Sequence, residues 1–334
     1  VSTTYALPRG VFTLSLDFEL IWGTLDHAGP GGFARACTIE RTIVVDRLLE
    51  ILAEFEIPAT WLVLGHLFLE GCSATGGVPH ADVVRPTHAW HPDDWFRHDP
   101  CGTEASNPLF YGRALVRKIQ ACRVPQEIGC HSFSHVIFGD AGCSREAAAS
   151  EIEASIAAAR ELGIEMRSFA FPRNSVGHLD LLVANGFRSF RGPGSTWYER
   201  RGTDEHGQRS ALQRLAHLWD FIAARTPPVV APQRVEPGIL NIPGSMIYLP
   251  MHGVRRHIPV GRRVTRAFRG LDAAEATGRV FHLWFHPTNL ADETEAMLGG
   301  LRRICAEAAR RRAAGRLDVL SMGGIADRMA ASVA

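Results

Sequence analysis

No stretch of this chain reaches the roughly 18 consecutive apolar residues that a helix needs to cross a bilayer, so no membrane span is expected. Residues 1–10 lack the basic and apolar segments of a secretory leader, although a start at Val1 leaves trimming open. Charge of one sign is also missing. Lys and Arg number 36 against 35 Asp and Glu, a formal net charge of +1, which offers no bulk attraction to nucleic acid or an anionic surface. The local runs Arg310, Arg311, Arg312 and Arg255, Arg256 read as a solvated helix face and a loop. The seven cysteines stand at 37, 72, 101, 122, 130, 143 and 305 with no CxxC pair. An odd, unpatterned set of this kind favours reduced thiols and a cytoplasmic setting. Internal repeats, low-complexity tracts and linkers are absent as well, so one domain spanning 1–334 is expected.

What is present is a core. Hydrophobic residues make up 46% and charged residues 21%, the balance of a globular domain. Strand-like segments at 11–19, 59–65, 126–132, 168–173, 187–192, 239–248, 280–287 and 317–322 alternate with helical patterns. The helical stretches fall at about 40–55, 109–121, 145–162, 179–184, 211–224 and 291–313. Ser144 is the expected N-cap of the third and Gly163 its stop, and Gly299 and Gly300 mark a break in the last. Repeated β–α alternation argues for a parallel sheet covered by helices. Seven or eight units suggest an α/β fold of distorted TIM-like barrel type. Residues 70–107 and 193–237 contain loop insertions, and the first is rich in Gly, Pro, His and Trp.

Chemistry-bearing residues gather at the strand ends, where barrel active sites are built. His131 and His135 are four residues apart, a spacing that puts two imidazoles on one face of a helical turn. Asp17 and Glu19 close the first strand two residues apart, and so project to the same side. A metal held by Glu19, His131 and His135 would have two nitrogens, one oxygen and an open position, the pattern of a hydrolytic zinc site. Asp17 is then free to act as general base on a water. His286 ends the strand at 280–287 and is a general-acid candidate, while a purely structural histidine is the other reading. Arg173 could orient Asp17 or stabilise developing negative charge, or be a surface ion pair. Arg191 is a weaker candidate of the same kind, grouped with Trp90 and Trp95 as a substrate contact. The two Trp rings could offer flat apolar faces to a ligand or pack a lid. Cys130, beside His131, reads as packing.

These segments resemble the polysaccharide deacetylase family, the NodB-homology enzymes of carbohydrate esterase family 4. His131, Ser132, Phe133, Ser134, His135 match its H-S/T-x-x-H metal motif. Asp17, Phe18, Glu19 resemble its first acidic motif, and Leu283, Trp284, Phe285, His286 its final L-x-x-H motif. The similarity runs over about residues 11–322. It implies Asp17 as base, Glu19, His131 and His135 as ligands of a divalent metal (zinc first, cobalt or nickel as alternatives), and His286 as acid. The implied reaction is N-deacetylation of an N-acetylated sugar or glycoside; the cytoplasmic setting expected above points to a nucleotide-linked, lipid-linked or free glycoside intermediate, with an antibiotic or other specialised metabolite as an alternative. A deformylase, another non-sugar amide hydrolase and a silent sugar-binding barrel are the competing readings. Three departures stand out. Glu19 replaces the family's second aspartate. The R-x-P-Y motif survives only as Ala170, Phe171, Pro172, Arg173, with its arginine across the proline. The D-x-x-D-W/Y motif has no counterpart beyond Asp220.

Overall fold

The computed structural model describes residues 3–4, 7–196 and 210–331. Its organising element is β1 (Gly10–Phe18), in which all nine residues are buried. The strand is apolar on both faces because neighbours cover it on both edges, as expected of a parallel interior strand. Along one edge it pairs in parallel with β8 (Val280–Phe285). The other edge is shared. Residues 10–12 pair with β9 (Leu317–Val319) and residues 15–18 with β2 (Thr60–Val63).

From β2 the sheet continues in parallel through β3 (Glu127–Cys130), β4 (Ser168–Ala170), β5 (Ser189–Arg191) and β6 (Ile239–Asn241). The chain after β6 then changes partner. Ile242 N–H donates to Phe190 O (2.9 Å) and Gly244 N–H to Gly192 O (3.3 Å), both beside β5. Ser245 N–H next donates to His282 O (2.9 Å), and β7 (Met246–Ile247) pairs in parallel with β8. One segment is thereby bonded to both ends of the parallel run, and the sheet curls into a distorted barrel. The strand expected over 239–248 is split at this handover, where Pro243 has no N–H to give a ladder. Outside the ring, Gln233–Val235 pairs antiparallel with β6 and with Thr3–Thr4.

Helices alternate with these strands. α1 (Val45–Glu54), α2 (Arg113–Gln120), α3 (Arg145–Arg160), α4 (Leu179–Ala184) and α5 (Ala211–Ile222) fall where the sequence pattern puts them. Ser144 caps α3, its Oγ accepting the N–H of Ala147 at 3.1 Å. α6 (Val260–Thr277) is not among the expected helices, yet Val264, Ala267, Leu271 and Ala274 bury one face at helical spacing. Its many arginines and two glycines mask that stripe. α7 (Thr294–Ala313) runs through Gly299 and Gly300 without the expected break. A Cβ on Gly300 would stand 2.3 Å from Tyr248 Oη, so that glycine permits close approach of the helix rather than ending it. α8 (Met322–Ala331) closes the described chain. No described helix is long and apolar enough to cross a membrane.

The insertion at 70–107 is a closed excursion, its ends tied by antiparallel pairing of Gly71–Cys72 with Gly102–Thr103. Of the insertion at 193–237, residues 197–209 lie outside the described residues, and α5 occupies much of the rest.

The start of β1 abuts α6, where a Cβ on Gly10 would stand 2.2 Å from the backbone oxygen of Ala274. Backbone cannot step aside as a side-chain tip can. Gly10→Ala should therefore cost about 1–3 kcal/mol, read as a lowered denaturant midpoint at unchanged m-value.

Candidate active site

The ends of β1, β3, β5 and β8 meet at the C-terminal mouth of the barrel, and the expected residues arrive there together. Glu19 Oε2 lies 3.2 Å from His131 Nε2 and 3.2 Å from His135 Nε2. His286 Nε2 stands 3.3 Å from Glu19 Oε1 and 3.6 Å from Asp17 Oδ2. Asp17, Glu19, His131 and His135 are buried, whereas the His286 side chain keeps 28% of its exposure and can meet a solvent-borne substrate.

The two motif histidines do not converge by the helical turn expected of them. His131 directly follows β3, and the residues after it form bends, with left-handed backbone at Ser132 (φ 61°) and His135 (φ 69°). Ser132 Oγ accepts the N–H of His135 at 3.0 Å, the local bond by which serine competes with helix. The turn is held from behind by Glu151 of α3, whose buried carboxylate accepts the N–H groups of Phe133 and Ser134, each at 2.8 Å, and the Ser134 hydroxyl. Glu151 was not foreseen, since it lies one helix away from the motif.

Ligand chemistry can be read from the hydrogen atoms. His131 donates its Nδ1–H to Ala170 O at 2.9 Å, which leaves Nε2 of the neutral ring as a lone pair aimed at the Glu19 oxygens. Lone pairs facing one another at 3.2 Å call for a cation or extra protons between them. The three ligand atoms lie within 4.8 Å of one another, so the group fits a divalent ion. Room for the longer Glu19 arm comes from Gly23, where a Cβ would stand 2.0 Å from Glu19 Oε1.

The arginine beside Asp17 is not the one foremost in the sequence. Arg173 turns away, with left-handed backbone (φ 53°); it pairs with Asp26 and lies over the Trp90 ring at 4.7 Å. Arg191, the weaker candidate for orienting Asp17 and grouped with the substrate contacts, is buried and grips Asp17 with two bonds, 2.7 Å to Oδ1 and 2.6 Å to Oδ2. Its guanidinium also lies 4.3 Å from the Trp284 ring centroid and donates to Ser15 Oγ at 3.1 Å. Ser15 and His282 Nε2 are 2.8 Å apart, and His282 Nδ1–H donates to Ile242 O at 3.0 Å. Burial, with the charge of Arg191, pushes His282 down to about 3, so it serves as a neutral prop.

Burial by itself would raise the Asp17 carboxyl; the charge of Arg191, then of His131, outweighs it and holds Asp17 below the usual carboxylate range. Burial would likewise raise Glu19, but the charges of His286 and His135 leave it well below its ordinary value. Glu40, fully buried with both oxygens lacking a partner, is pushed the other way by burial and then by the charge of Glu19.

Solved structures with this fold fall into place here. Over 99% of this chain and 96% of the other, the structure superposes on a Mycobacterium smegmatis protein provisionally named a polysaccharide deacetylase, with TM-score 0.65 and 16% identity. The chain has the polysaccharide deacetylase fold. A provisionally named polysaccharide deacetylase of Pseudomonas aeruginosa gives TM-score 0.53 at 13% identity, covering 95% of this chain and 89% of its own. A Puue allantoinase gives the same 0.53 and 13%, with 95% and 88% covered. No family model and no curated protein matches the sequence.

On this deacetylase fold the insertion at 70–107 forms one wall of a small open cleft lined by Trp22, Leu25, Asp26, His91, Trp95 and Ser134 among others. Trp95 thus faces the cleft, with its Nε1–H donated to Ser134 O at 2.9 Å. Trp90 stacks on His88 and donates to Asp140 at 2.9 Å. Asp220 lies on α5 near Arg266 (3.5 Å) and Arg225 (3.6 Å), apart from the carboxylate–imidazole cluster.

Removing the cation of a buried pair strands its partner. Arg191→Met should destabilise the protein by about 3–5 kcal/mol at neutral pH. Because Asp17 has a depressed native pKa, its contribution is present above the unfolded value near 3.9 and is lost as pH falls through the native value. The stability gap between wild type and variant should therefore be flat at neutral pH and narrow in strong acid, as urea titrations across pH would show. Gly23→Ala should displace the Glu19 carboxylate and weaken metal affinity by about 10–100-fold, measured by competition with a chromophoric chelator.

Proposed function

We propose that this chain is a metal-dependent amide hydrolase that removes acetyl from an N-acetylated sugar or glycoside. The observation that carries the reading is the convergence of Glu19, His131 and His135 on one point, flanked by Asp17 with its arginine and by His286. A divalent cation at that point would supply Lewis-acid polarisation of the acetyl carbonyl and an acidified water. Two imidazoles and a carboxylate suit zinc first, with cobalt or nickel as alternatives. Glu19, His131 and His135 would hold the ion. Asp17, kept ionised and aimed by Arg191, accepts the proton of the attacking water. His286, at the rim and within reach of both carboxylates, donates a proton to the departing nitrogen as the C–N bond breaks, leaving acetate and a free amine. Trp95 offers a flat apolar face to a sugar ring.

A second reading keeps the machinery and changes the acyl group or its carrier, as in a deformylase or another non-sugar amide hydrolase. It is favoured by the likeness to an allantoinase at the same TM-score as to the Pseudomonas protein; the fold by itself does not choose between them. Acetate and formate release across N-acetylated and N-formylated sugars and simple amides separates the readings by product.

Asp17→Asn and His286→Ala should each lower kcat by at least about 100-fold while metal content stays at the wild-type level. His131→Ala should lose both metal at this site and turnover. Full activity of His131→Ala would remove the metal assignment.

A further inference from the structure

A second constellation of ligand atoms lies behind the active-site loop, and nothing in the proposed hydrolysis uses it. His66 follows β2, and Cys72, His80 and Asp99 come from the insertion at 70–107. His66 Nε2 is 3.1 Å from His80 Nε2 and 3.2 Å from Asp99 Oδ2; His80 Nε2 is 3.0 Å from the same oxygen, and Cys72 Sγ lies 3.6 Å from it. All four ligand atoms fall within 4.8 Å of one another. Around a tetrahedral zinc, with bonds of about 2.0–2.1 Å to N and O and about 2.3 Å to S, ligand atoms stand roughly 3.3 Å apart in N/O pairs and roughly 3.6 Å apart where one is sulfur. The three N/O edges, 3.0 to 3.2 Å, are slightly shorter than that, and the Cys72–Asp99 edge of 3.6 Å matches it.

Hydrogen bookkeeping points the same way. His66 is fully buried and donates its Nδ1–H to Phe110 O at 3.0 Å. In the neutral ring, Nε2 is then a bare lone pair facing a carboxylate oxygen and a second imidazole nitrogen. A single N–H on His80 cannot serve both of those atoms. Asp99 is held in place by its other oxygen, which accepts the Cys101 N–H at 2.9 Å, and the Cys72 sulfur lies 3.1 Å from the Tyr111 hydroxyl. Oriented first ligands with partners on their far sides are how proteins prepare metal sites. A thiolate and a carboxylate carry two negative charges and the imidazoles none, so the set cancels a dication and such a site adds no net charge to the interior.

We infer that Cys72, His66, His80 and Asp99 form a closed structural zinc site that pins the insertion at 70–107 to the barrel and backs the His131–His135 loop. The link to that loop is direct. Gly65 N–H donates to Ser132 O (2.7 Å) and His66 N–H to Phe133 O (3.0 Å), while the Phe133 ring packs on His66 and His80 at 5.7 and 5.2 Å. The metal acts by holding the insertion, and so the Trp95 wall, against these residues. With four protein ligands it keeps no open position for substrate.

The test counts metals and reads their ligands. Full-length protein loaded with Zn²⁺ and freed of excess should carry two ions per chain by elemental analysis, and His131→Ala should retain one. Loaded with Co²⁺, both proteins should show a thiolate-to-cobalt charge-transfer band in the near ultraviolet, which the Glu19–His131–His135 group cannot produce because it contains no sulfur. Cys72→Ser should lose the band; if that variant does not fold, wild type and His131→Ala decide alone. One zinc per chain in wild type, none in His131→Ala and no charge-transfer band in either would overturn the inference. Because these readouts are independent of turnover, failure of the hydrolase reading would leave them unaffected.

Discussion

Arg191 reaches across the barrel mouth to Asp17, and the rest of the structure is arranged so that this pair can exist. The two residues stand on β5 and β1, which are not neighbours in the sheet. Only curling of the strands brings them together. Burying two charges costs several kcal/mol per ion before any gain is counted, and the surroundings offset that cost by geometry. Two short parallel bonds, a bond to Ser15 and the face of Trp284 serve the guanidinium. The Ser15–His282–Ile242 chain passes the hydrogen bonding on to the segment that closes the barrel. The carboxylate that Arg191 holds ionised is thus tied to the segment that makes the ring.

The neighbouring ligand group depends on a different support. Glu19 is one methylene longer than the aspartate of the resembled motif, and Gly23 leaves the space into which its carboxylate fits. His131 and His135 are set by a left-handed turn fixed by Ser132 and Glu151. Behind that turn lies the His66–His80–Asp99–Cys72 cluster, so the loop is braced from helix and insertion alike. Rigid backing of this kind lets irregular backbone hold ligands to a fraction of an ångström.

Much of this was legible in the order of residues. Eight strand segments and the alternation of helices follow from apolar runs and periodicity; seven appear as single strands, and the eighth, over 239–248, is split where the chain changes partner. α6 escaped because arginines and glycines interrupt the look of its apolar stripe, though Val264, Ala267, Leu271 and Ala274 carried the period. Gly300 misled because a glycine needed for contact with Tyr248 looks, in one dimension, like a helix break. The identities of Asp17, Glu19, His131, His135 and His286 were readable since motif chemistry sits at strand ends, which a barrel gathers at one mouth.

What the sequence by itself determined is the set of reactive groups and the alternating pattern that forces them to one end of a parallel sheet; periodicity and residue type are local, and they survive in the order of letters. Tertiary structure alone decided which arginine meets Asp17. Both follow apolar strand-like runs in the sequence, but Arg173 lies in a turn beyond β4, where its left-handed backbone directs it to Asp26, whereas Arg191 closes β5 and points into the barrel. It also decided that Glu151 and Gly23 serve the site, and that Cys72, His66, His80 and Asp99, up to 33 residues apart, share one point. Those relations are set by closure and by loop return, which bring distant residues within 3 to 4 Å without leaving any spacing to be read along the chain.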